Sequence, residues 1–479
     1  MLKELFQDIE YQLIQKEYNG AYNKIEYNSL SIEVGDIFVA LVGNKVDGHK
    51  YIKNAVENGA KLIVVSKDIE EIYENINIIK VENTRKMLGK LASNFYEQPE
   101  KKLKFIGVTG TNGKTTTAYL IHKFIKNSAF IGSIGVEISD ERFLPTNTTP
   151  ESLDIIKYAK LAVEKGLEYM VLEVSSQGID NWRIENLEFI GGIFTNLTKE
   201  HLDYHKTMEE YFVVKERLFK QVIPTGFIIT NTEDEYGKRI KEKYPKAITY
   251  AFTNADYNGK ILDMGIEKMN VLINVKNVVY NLETSLIGEY NLLNIMAGMA
   301  MVEALGLRDI PYNELLKDLN CVEGRMQIVE KNGIKIIIDY AHTEDALEKV
   351  LKTLSLCKKR KLYTLVSGTG ERYKEKRTVL GEIAGKYSDY VIISSNSPRY
   401  EDPMEIAQEV AKGLENKGYK HYEIYVDRVE AVKKIISLAK EGDIIILTGK
   451  GHERYQEIKG YKTPYYELEV VKNSLNINI

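Results

Sequence analysis

At 479 residues the chain is longer than one hydrophobic core usually serves, and 44% apolar with 28% charged residues describes a folded protein of two to four domains. A net charge of -4, with both signs mixed along the chain, argues against a nucleic-acid binder, whose phosphate contacts need clustered Lys and Arg. No stretch approaches the roughly 20 apolar residues of a bilayer span, and the charged N-terminal segment lacks the apolar run of a secretion signal, so a cytoplasmic protein is expected.

Residues 1–100 are predicted to form a small α/β domain. Asp36-Ile-Phe-Val-Ala-Leu reads as a strand, 51–58 as a helix and Lys61-Leu-Ile-Val-Val-Ser as a second strand, a β-α-β unit. The polar, proline-containing Gln98-Pro99-Glu100-Lys101-Lys102 reads as a linker. From 101 to 326, short β-branched runs alternate with amphipathic helices, the pattern of a parallel sheet covered on both faces, closing with helices over 291–305 and 311–319. A break near Gly324-Arg325 opens a third domain, 327–479, whose alternating series begins at Lys335-Ile-Ile-Ile-Asp. Cys321 and Cys357 lie far apart in no metal-like spacing and suit a reducing compartment.

The polar clusters sit directly after apolar runs. Phe105-Ile-Gly-Val leads into Thr109-Gly-Thr-Asn-Gly-Lys, Tyr169-Met-Val-Leu into Glu173-Val-Ser-Ser, and Gly192-Ile-Phe into Thr195-Asn-Leu-Thr. Ile336-Ile-Ile leads into Asp339-Tyr-Ala-His, Val391-Ile-Ile into Ser394-Ser-Asn-Ser-Pro-Arg, and Ile444-Ile-Ile-Leu into Thr448-Gly-Lys-Gly-His-Glu. In open α/β sheets ligands bind at the carboxyl ends of strands.

Gly110-Thr-Asn-Gly-Lys114-Thr115 follows a strand and precedes a helix, the setting of a phosphate loop: backbone N–H groups face phosphate oxygens, Lys114 reaches the β- and γ-phosphates, and the Thr115 hydroxyl can ligate Mg²⁺. Val108 stands where the strict consensus has its first glycine, and a plain glycine-rich turn is the alternative. Glu173 ends a buried-looking strand, where a carboxylate is costly unless it faces a metal or forms a structural ion pair. His201-Leu-Asp203-Tyr-His205 is either a ligand set or a helix-capping cluster. Lys215, in Tyr211-Phe-Val-Val-Lys-Glu-Arg-Leu-Phe, is expected by default to snorkel to solvent. Arg372 and the segments Asp339-Tyr-Ala-His342 and Gly449-Lys-Gly-His-Glu453 are short signals. Arg399 lies just past a strand beside Pro398, well placed to grip a carboxylate with both guanidinium arms; its alternative is an exposed arginine paired with Glu401 or Asp402.

In order along the chain these motifs resemble the Mur ligase family, most closely its tripeptide synthetases. The match runs through Gly35-Asp-Ile-Phe-Val-Ala-Leu, the phosphate loop, Asn147-Thr-Thr, Glu173-Val-Ser-Ser and Asn196-Leu-Thr-Lys-Glu-His-Leu-Asp-Tyr-His. It continues through Gly288-Glu-Tyr-Asn-Leu-Leu-Asn, Gly324-Arg-Met, Asp339-Tyr-Ala-His-Thr, Pro398-Arg-Tyr-Glu-Asp-Pro and Gly449-Lys-Gly-His-Glu. The resemblance implies an α/β protein of three domains: a small N-terminal α/β domain, a central parallel sheet of the phosphate-loop ATPase type, and a C-terminal Rossmann-like sheet. It implies an ADP-forming ligase, monomeric, that adds a diamino acid to UDP-MurNAc-L-Ala-D-Glu using Mg²⁺ and ATP. Gly110, Thr111, Asn112, Gly113, Lys114, Thr115 and Thr116, with Asn291, Arg325, Asp339 and His342, match nucleotide positions. Ser29, Asn44, Lys45 and Val46 match uridine-nucleotide positions, and Thr148, Thr149, Ser175, Asn181 and Arg183 those of the muropeptide. Lys215 matches a carbamylated lysine, an anion that would join Thr115, Glu173 and His201 around Mg²⁺. Arg372, Asn396, Ser397, Pro398, Arg399, Gly449 and Glu453 match the pocket for the incoming diamino acid.

Three departures stand out. Asn28-Ser29-Leu30 replaces the usual Asp-Ser-Arg, Ser175-Ser176-Gln177 replaces Ser-Ser-His, and Asn396-Ser397-Pro398-Arg399 replaces Asp-Asn-Pro-Arg, with loss of a negative charge. A diamino dicarboxylic acid, meso-diaminopimelate or the thioether lanthionine, is the expected substrate; a lysine-adding relative, a folylpolyglutamate-synthase-like ligase and a nucleotide-switched scaffold are the rivals.

Overall fold

The computed structural model describes residues 2–43, 46–276, 278–319 and 322–477, so Asn44, Lys45 and Cys321 lie outside the described residues. The chain divides into two compact units, one of Met1–Gly107, Ile125–Gly192 and Arg217–Gly226, the other of Val108–Phe124, Ile193–Glu216 and Phe227–Ile479.

Three main sheets follow one another along the chain: five strands between Gln12 and Lys80, eleven between Lys104 and Thr284, and six between Gln327 and Thr448. The predicted β-α-β unit forms from Ile37–Val39, the helix Ile52–Glu57 and Leu62–Val65, with the strands parallel and Ile37 opposite Leu62. Tyr51 belongs to the preceding 3-10 turn instead. Phe38, Ala40, Ile63, Val65 and Ile78 bury one face of this sheet against Ile52 and Ala55, each large side chain contributing about 1.5–3 kcal/mol over exposure. The stretch expected to be a linker is instead ordered: Pro99–Lys102 is a 3-10 helix with Pro99 and Glu100 buried, and the Ser93 hydroxyl donates to Glu100 at 2.6 Å. Polarity did not reveal that Glu100 is buried, with one carboxylate oxygen bonded to Ser93 and the other without a hydrogen-bond partner among the described residues.

The eleven-stranded sheet is parallel where Tyr169–Glu173 meets Ser128–Gly132 and where Val222–Asn231 meets Ile248–Ala251. Both edges depart from the all-parallel expectation. Tyr257–Met264, Met269–Val275 and Val278–Thr284 form one antiparallel meander, and Gly135–Ile138 with Glu141–Phe143 extend the other edge. Residues 269–275 alternate buried and half-buried, the period-2 signature of a one-sided strand.

The six-stranded sheet opens one strand earlier than expected. Gln327–Lys331 pairs antiparallel with Ile334–Asp339 through Asn332-Gly333, both at positive φ, the two-residue turn that suits strand twist. Ile336, Ile338, Leu365, Ile392, Ile445 and Leu447 pack one face against Val432 and Ile435. All six polar clusters do follow strands, ending at Thr109, Glu173, Phe194, Asp339, Ser395 and Thr448. No helix among the described residues is long and apolar enough to cross a membrane.

Candidate active site

In the first unit, Glu173 is fully buried at its strand end, and its two carboxylate oxygens accept from the backbone N–H and hydroxyl of Ser133 at 2.7 and 3.2 Å. The Ser133 hydroxyl also reaches Thr148, at 3.2 Å. Thr149 donates to the Glu173 carbonyl at 2.8 Å and lies 3.0 Å from the Ser175 hydroxyl, which caps the helix Ser176–Asp180 by accepting from Gly178 N–H. Asn181 donates back to the Gln177 carbonyl. Arg183 binds the Thr149 carbonyl at 2.9 Å and Glu151, whose other oxygen takes Arg85. Thr148, Thr149, Ser175 and Arg183 thus form one hydroxyl- and guanidinium-bearing cluster, with Glu151 and Arg85 as members that motif reading missed. Ser29 is buried in a 3-10 turn capped by Asn28, and its carbonyl accepts from Asn58. Leu30, the departure next to it, is 79% exposed, an apolar side chain in water. The Val46 carbonyl accepts from Gly43 N–H, closing a turn.

The second unit holds the phosphate loop between the strand ending at Thr109 and the helix Lys114–Phe124. Gly110 and Gly113 take φ of 147° and 84°, and a Cβ on them would stand 1.9 Å from the Thr195 hydroxyl and 2.5 Å from Asn294 Oδ1. Both conformation and space therefore require glycine. The loop carbonyls accept two ammonium groups: Lys114 Nζ donates to Gly110 O and Thr111 O at 3.1 and 2.9 Å, and Lys215 Nζ donates to Gly110 O at 2.8 Å. The Asn112 side chain bonds Asp345 at 3.0 Å and Thr343 at 3.3 Å, while Thr116 is buried in the helix. Asn291 bonds the Ile287 carbonyl and accepts from Asn294, which in turn accepts from Thr117.

Lys215 does not snorkel. It is 1% exposed, with its ammonium over the Tyr211 ring, and burial together with the nearby Lys114 charge pushes its pKa well below the usual lysine range. The helix Met208–Lys220 turns this residue inward, a choice that local composition does not reveal.

His201 starts the helix Leu202–His205 with φ of 57° but makes no capping hydrogen bond, so the capping alternative fails for it. Its Nδ1 is buried without a partner among the described residues, and burial first, then Lys215, Arg372 and Lys114, push its pKa down to about 3. A neutral imidazole with an unused nitrogen is suited to a cation. Beside it, Glu200 pairs with Lys376 at 3.3 Å and Asp203 with Arg372 at 3.2 Å, around a cleft lined also by Lys199, Leu202 and Tyr373. Burial opposes the charge on Glu200, yet Lys376, His342 and His201 hold its carboxyl below the usual range. Glu200, although inside the 196–205 motif, and Lys376 were not singled out from the sequence.

Arg325 donates to the Thr115 hydroxyl at 3.1 Å and lies over the Tyr340 ring at 4.4 Å. Asp339 accepts from Met326 and Ala341 N–H at 2.7 Å each; burial raises its pKa against the pull of Arg325. His342 Nδ1 pairs with the Tyr340 carbonyl.

Arg399 is a non-glycine residue at φ of 54°. It bonds neither Glu401, which Arg377 takes, nor Asp402, which caps the helix starting at Pro403. Instead Nε pairs with Glu457 at 3.1 Å and one terminal nitrogen donates to the Gly370 carbonyl at 3.3 Å, leaving the outer Nη2 without a partner among the described residues. Glu457 comes from the hairpin Tyr455–Ile458/Tyr461–Pro464, unforeseen although Lys459-Gly460 marks its turn. The same hairpin anchors Ser397, whose hydroxyl accepts from Glu457 N–H, while Gly370 N–H donates to the Ser397 carbonyl next to Pro398. Asn396, buried, donates to the Gly449 carbonyl at 3.0 Å. Glu453 accepts from Lys450 at 2.6 Å and from the Tyr340 hydroxyl at 3.4 Å. Arg372 instead donates to Asp203 at 3.2 Å.

Comparison with known proteins agrees with this layout. The chain matches the Mur ligase family catalytic domain over residues 21–96, the Mur ligase middle domain over 108–302, and the Mur ligase glutamate ligase domain over 324–451. It is 38% identical to the UDP-N-acetylmuramoyl-L-alanyl-D-glutamate–2,6-diaminopimelate ligase of Fusobacterium nucleatum, with 98% of each chain covered. The ligase of the same name from Clostridium botulinum is also 38% identical, again over 98% of each. A solved structure of such a ligase superposes with a TM-score of 0.65 at 28% identity, covering 95% of both chains. The chain belongs to the Mur ligase family, whose members are amide-bond-forming acid–amino-acid ligases.

Proposed function

We propose that this ligase adds meso-diaminopimelate, or the close isostere lanthionine, to UDP-MurNAc-L-Ala-D-Glu in the cytoplasm, at the expense of ATP, and works as a monomer. Arg399 carries the substrate reading. Its Nε is engaged by Glu457 and Nη1 by the Gly370 carbonyl, which fixes the side chain, while Nη2 remains able to hold a second carboxylate with a charge-assisted bond. Lysine ends in an ammonium, which the same guanidinium repels. The names of the relatives at 38% identity support the same choice. Asn396 and Ser397 replace a charged motif but stay buried and hydrogen-bonded, which supports a turn that holds its shape without the missing carboxylate.

In the first unit, Thr148, Thr149, Ser175, Asn181 and Arg183 are proposed to hold the muropeptide, and Ser29 with the turn at Val46 the uridine nucleotide. In the second, Lys114 is proposed to draw charge from the γ-phosphate as the D-Glu carboxylate attacks it. The acyl phosphate so formed gives the incoming amine a good leaving group, and the amide closes with loss of phosphate. His201, Thr115 and Lys215 fit a Mg²⁺ ion: a neutral imidazole with a buried unused nitrogen, a hydroxyl, and an amine neutral enough to combine with CO2, releasing a proton and leaving a carbamate anion. Glu173 is the first unit's anionic candidate for the same chemistry. Mg²⁺ would supply charge neutralisation at the phosphates.

Phosphate release from ATP, measured with UDP-MurNAc-L-Ala-D-Glu and a panel of amino acids, tests the assignment. Turnover with meso-diaminopimelate or lanthionine well above lysine is expected; a preference for lysine overturns the reading of Arg399.

A further inference from the structure

The geometry points to Tyr340 as a positioning residue that ties the amino-acid pocket to the nucleotide site, with its ring serving one and its hydroxyl the other. The inference rests on Arg325 belonging to the nucleotide site and Glu453 to the amino-acid pocket, as the family resemblance implies. Five groups stand in sequence within the second unit. The Arg325 guanidinium donates to the Thr115 hydroxyl of the phosphate loop at 3.1 Å and lies over the Tyr340 ring at 4.4 Å. The Tyr340 hydroxyl then donates to Glu453 at 3.4 Å, and the other carboxylate oxygen of Glu453 takes Lys450 at 2.6 Å.

Each link has a physical reason to be directional. An arginine over a tyrosine face is held by the ring quadrupole, so removing the ring frees the guanidinium to leave Thr115. Glu453 has two fixed donors, but they differ in stiffness. Lys450 is fully buried, also donates to the Tyr455 carbonyl, and cannot follow a moving carboxylate. The Tyr340 bond is long and half-buried, so it is the adjustable one. His342 and His452 flank the tyrosine ring, at 4.6 and 4.9 Å between centroids, and limit it to small tilts. A shift of Arg325 when nucleotide occupies the phosphate loop would therefore change the tilt of Tyr340 and the aim of Glu453, and the reverse must hold by linkage.

Two substitutions at one position separate the two arms. Tyr340→Phe keeps the ring and removes the hydroxyl. The KM for the amino acid should rise roughly threefold to thirtyfold, less than for losing a short hydrogen bond to a charged group because this one is long, with the KM for ATP within about twofold. Tyr340→Leu removes the ring as well, and both KM values should rise. In wild type, a non-hydrolysable ATP analogue should change the amino-acid affinity in direct binding, and in Tyr340→Phe that change should shrink. Melting temperatures and UDP-muropeptide binding serve as folding controls. An unchanged amino-acid KM in Tyr340→Phe, or an unchanged ATP KM in a folded Tyr340→Leu, overturns the proposal. The assay uses whichever amino acid wild type prefers, so a lysine-adding enzyme would sink the substrate assignment and leave this test standing.

Discussion

The phosphate loop and the 396–399 turn both follow a strand, and both are proposed to present charge to a substrate, but they are built differently. The loop takes its conformation from its own two glycines, although Asn112 and the loop backbone also bond Thr195, Asn196, Thr343 and Asp345. Two glycines supply the conformations, and the carbonyls of Gly110 and Thr111 gather Lys114 and Lys215. The 396–399 turn takes its shape from distant segments: Gly449 for Asn396, Gly370 and Glu457 for Ser397, and Glu457 again for Arg399. A site written in local backbone is legible as a motif and tolerates little change. A site assembled from remote partners can lose a motif residue, as Asp-Asn has become Asn396-Ser397, and keep its geometry.

The sharpest test of the local site is Lys114→Ala. Phosphoryl transfer should fall by about a thousandfold or more, as expected when a preorganised charge is removed from the transferring group. UDP-muropeptide binding, followed calorimetrically, should stay within about twofold; joint loss would break the separation of ligands between regions.

Lys215→Ala comes next. Activity should drop by roughly two orders of magnitude, and a short carboxylic acid that restores an anion should recover part of it. Full activity without rescue would leave the buried amine a packing role only.

At the remote site, Arg399→Ala should raise the KM for the diacid roughly tenfold to a hundredfold and narrow its advantage over lysine. Because Glu457 orients that guanidinium, Glu457→Gln should move the same parameter in the same direction by less; no effect from either would dissolve the contrast.

Gly113→Ala probes the local site through the backbone. A side chain at φ of 84° beside Asn294 should cost about 1–3 kcal/mol, seen as a lower melting temperature.

The smallest effect concerns pH. Glu401, which supports the segment after Arg399, is held by Arg377 down at about 2 from 4.5. A carboxylate so lowered contributes stability above pH 4.5 that is lost as pH falls toward 2. Glu401→Gln should flatten that part of the stability curve relative to wild type, and an unchanged slope would remove Glu401 from the support of this turn.

Much of the architecture was readable because burial writes itself into apolar runs. All six strand ends with polar clusters form as expected, as does the β-α-β unit. The misses were antiparallel: Gln327–Lys331, the meander from Tyr257 and the hairpin carrying Glu457. Two of them lay beside Asn332-Gly333 and Lys459-Gly460, turn pairs whose meaning was available. The 98–102 segment looked like a linker because polarity alone does not show whether a carboxylate has a buried donor.

By itself, the sequence singled out the candidates for chemistry, since Gly110, Gly113, Lys114, Glu173 and Arg399 are marked by conformations and charges a short segment can specify. Only the tertiary structure decided how those residues stand. The inward turn of Lys215, the unpartnered His201 nitrogen, the Glu200–Lys376 pair and the Arg399–Glu457 pair all depend on what a distant segment brings within 4 Å. The reason is physical: desolvation and pairing set the state of a charge, and both are properties of the surroundings that folding assembles, not of the residue or its neighbours in the chain.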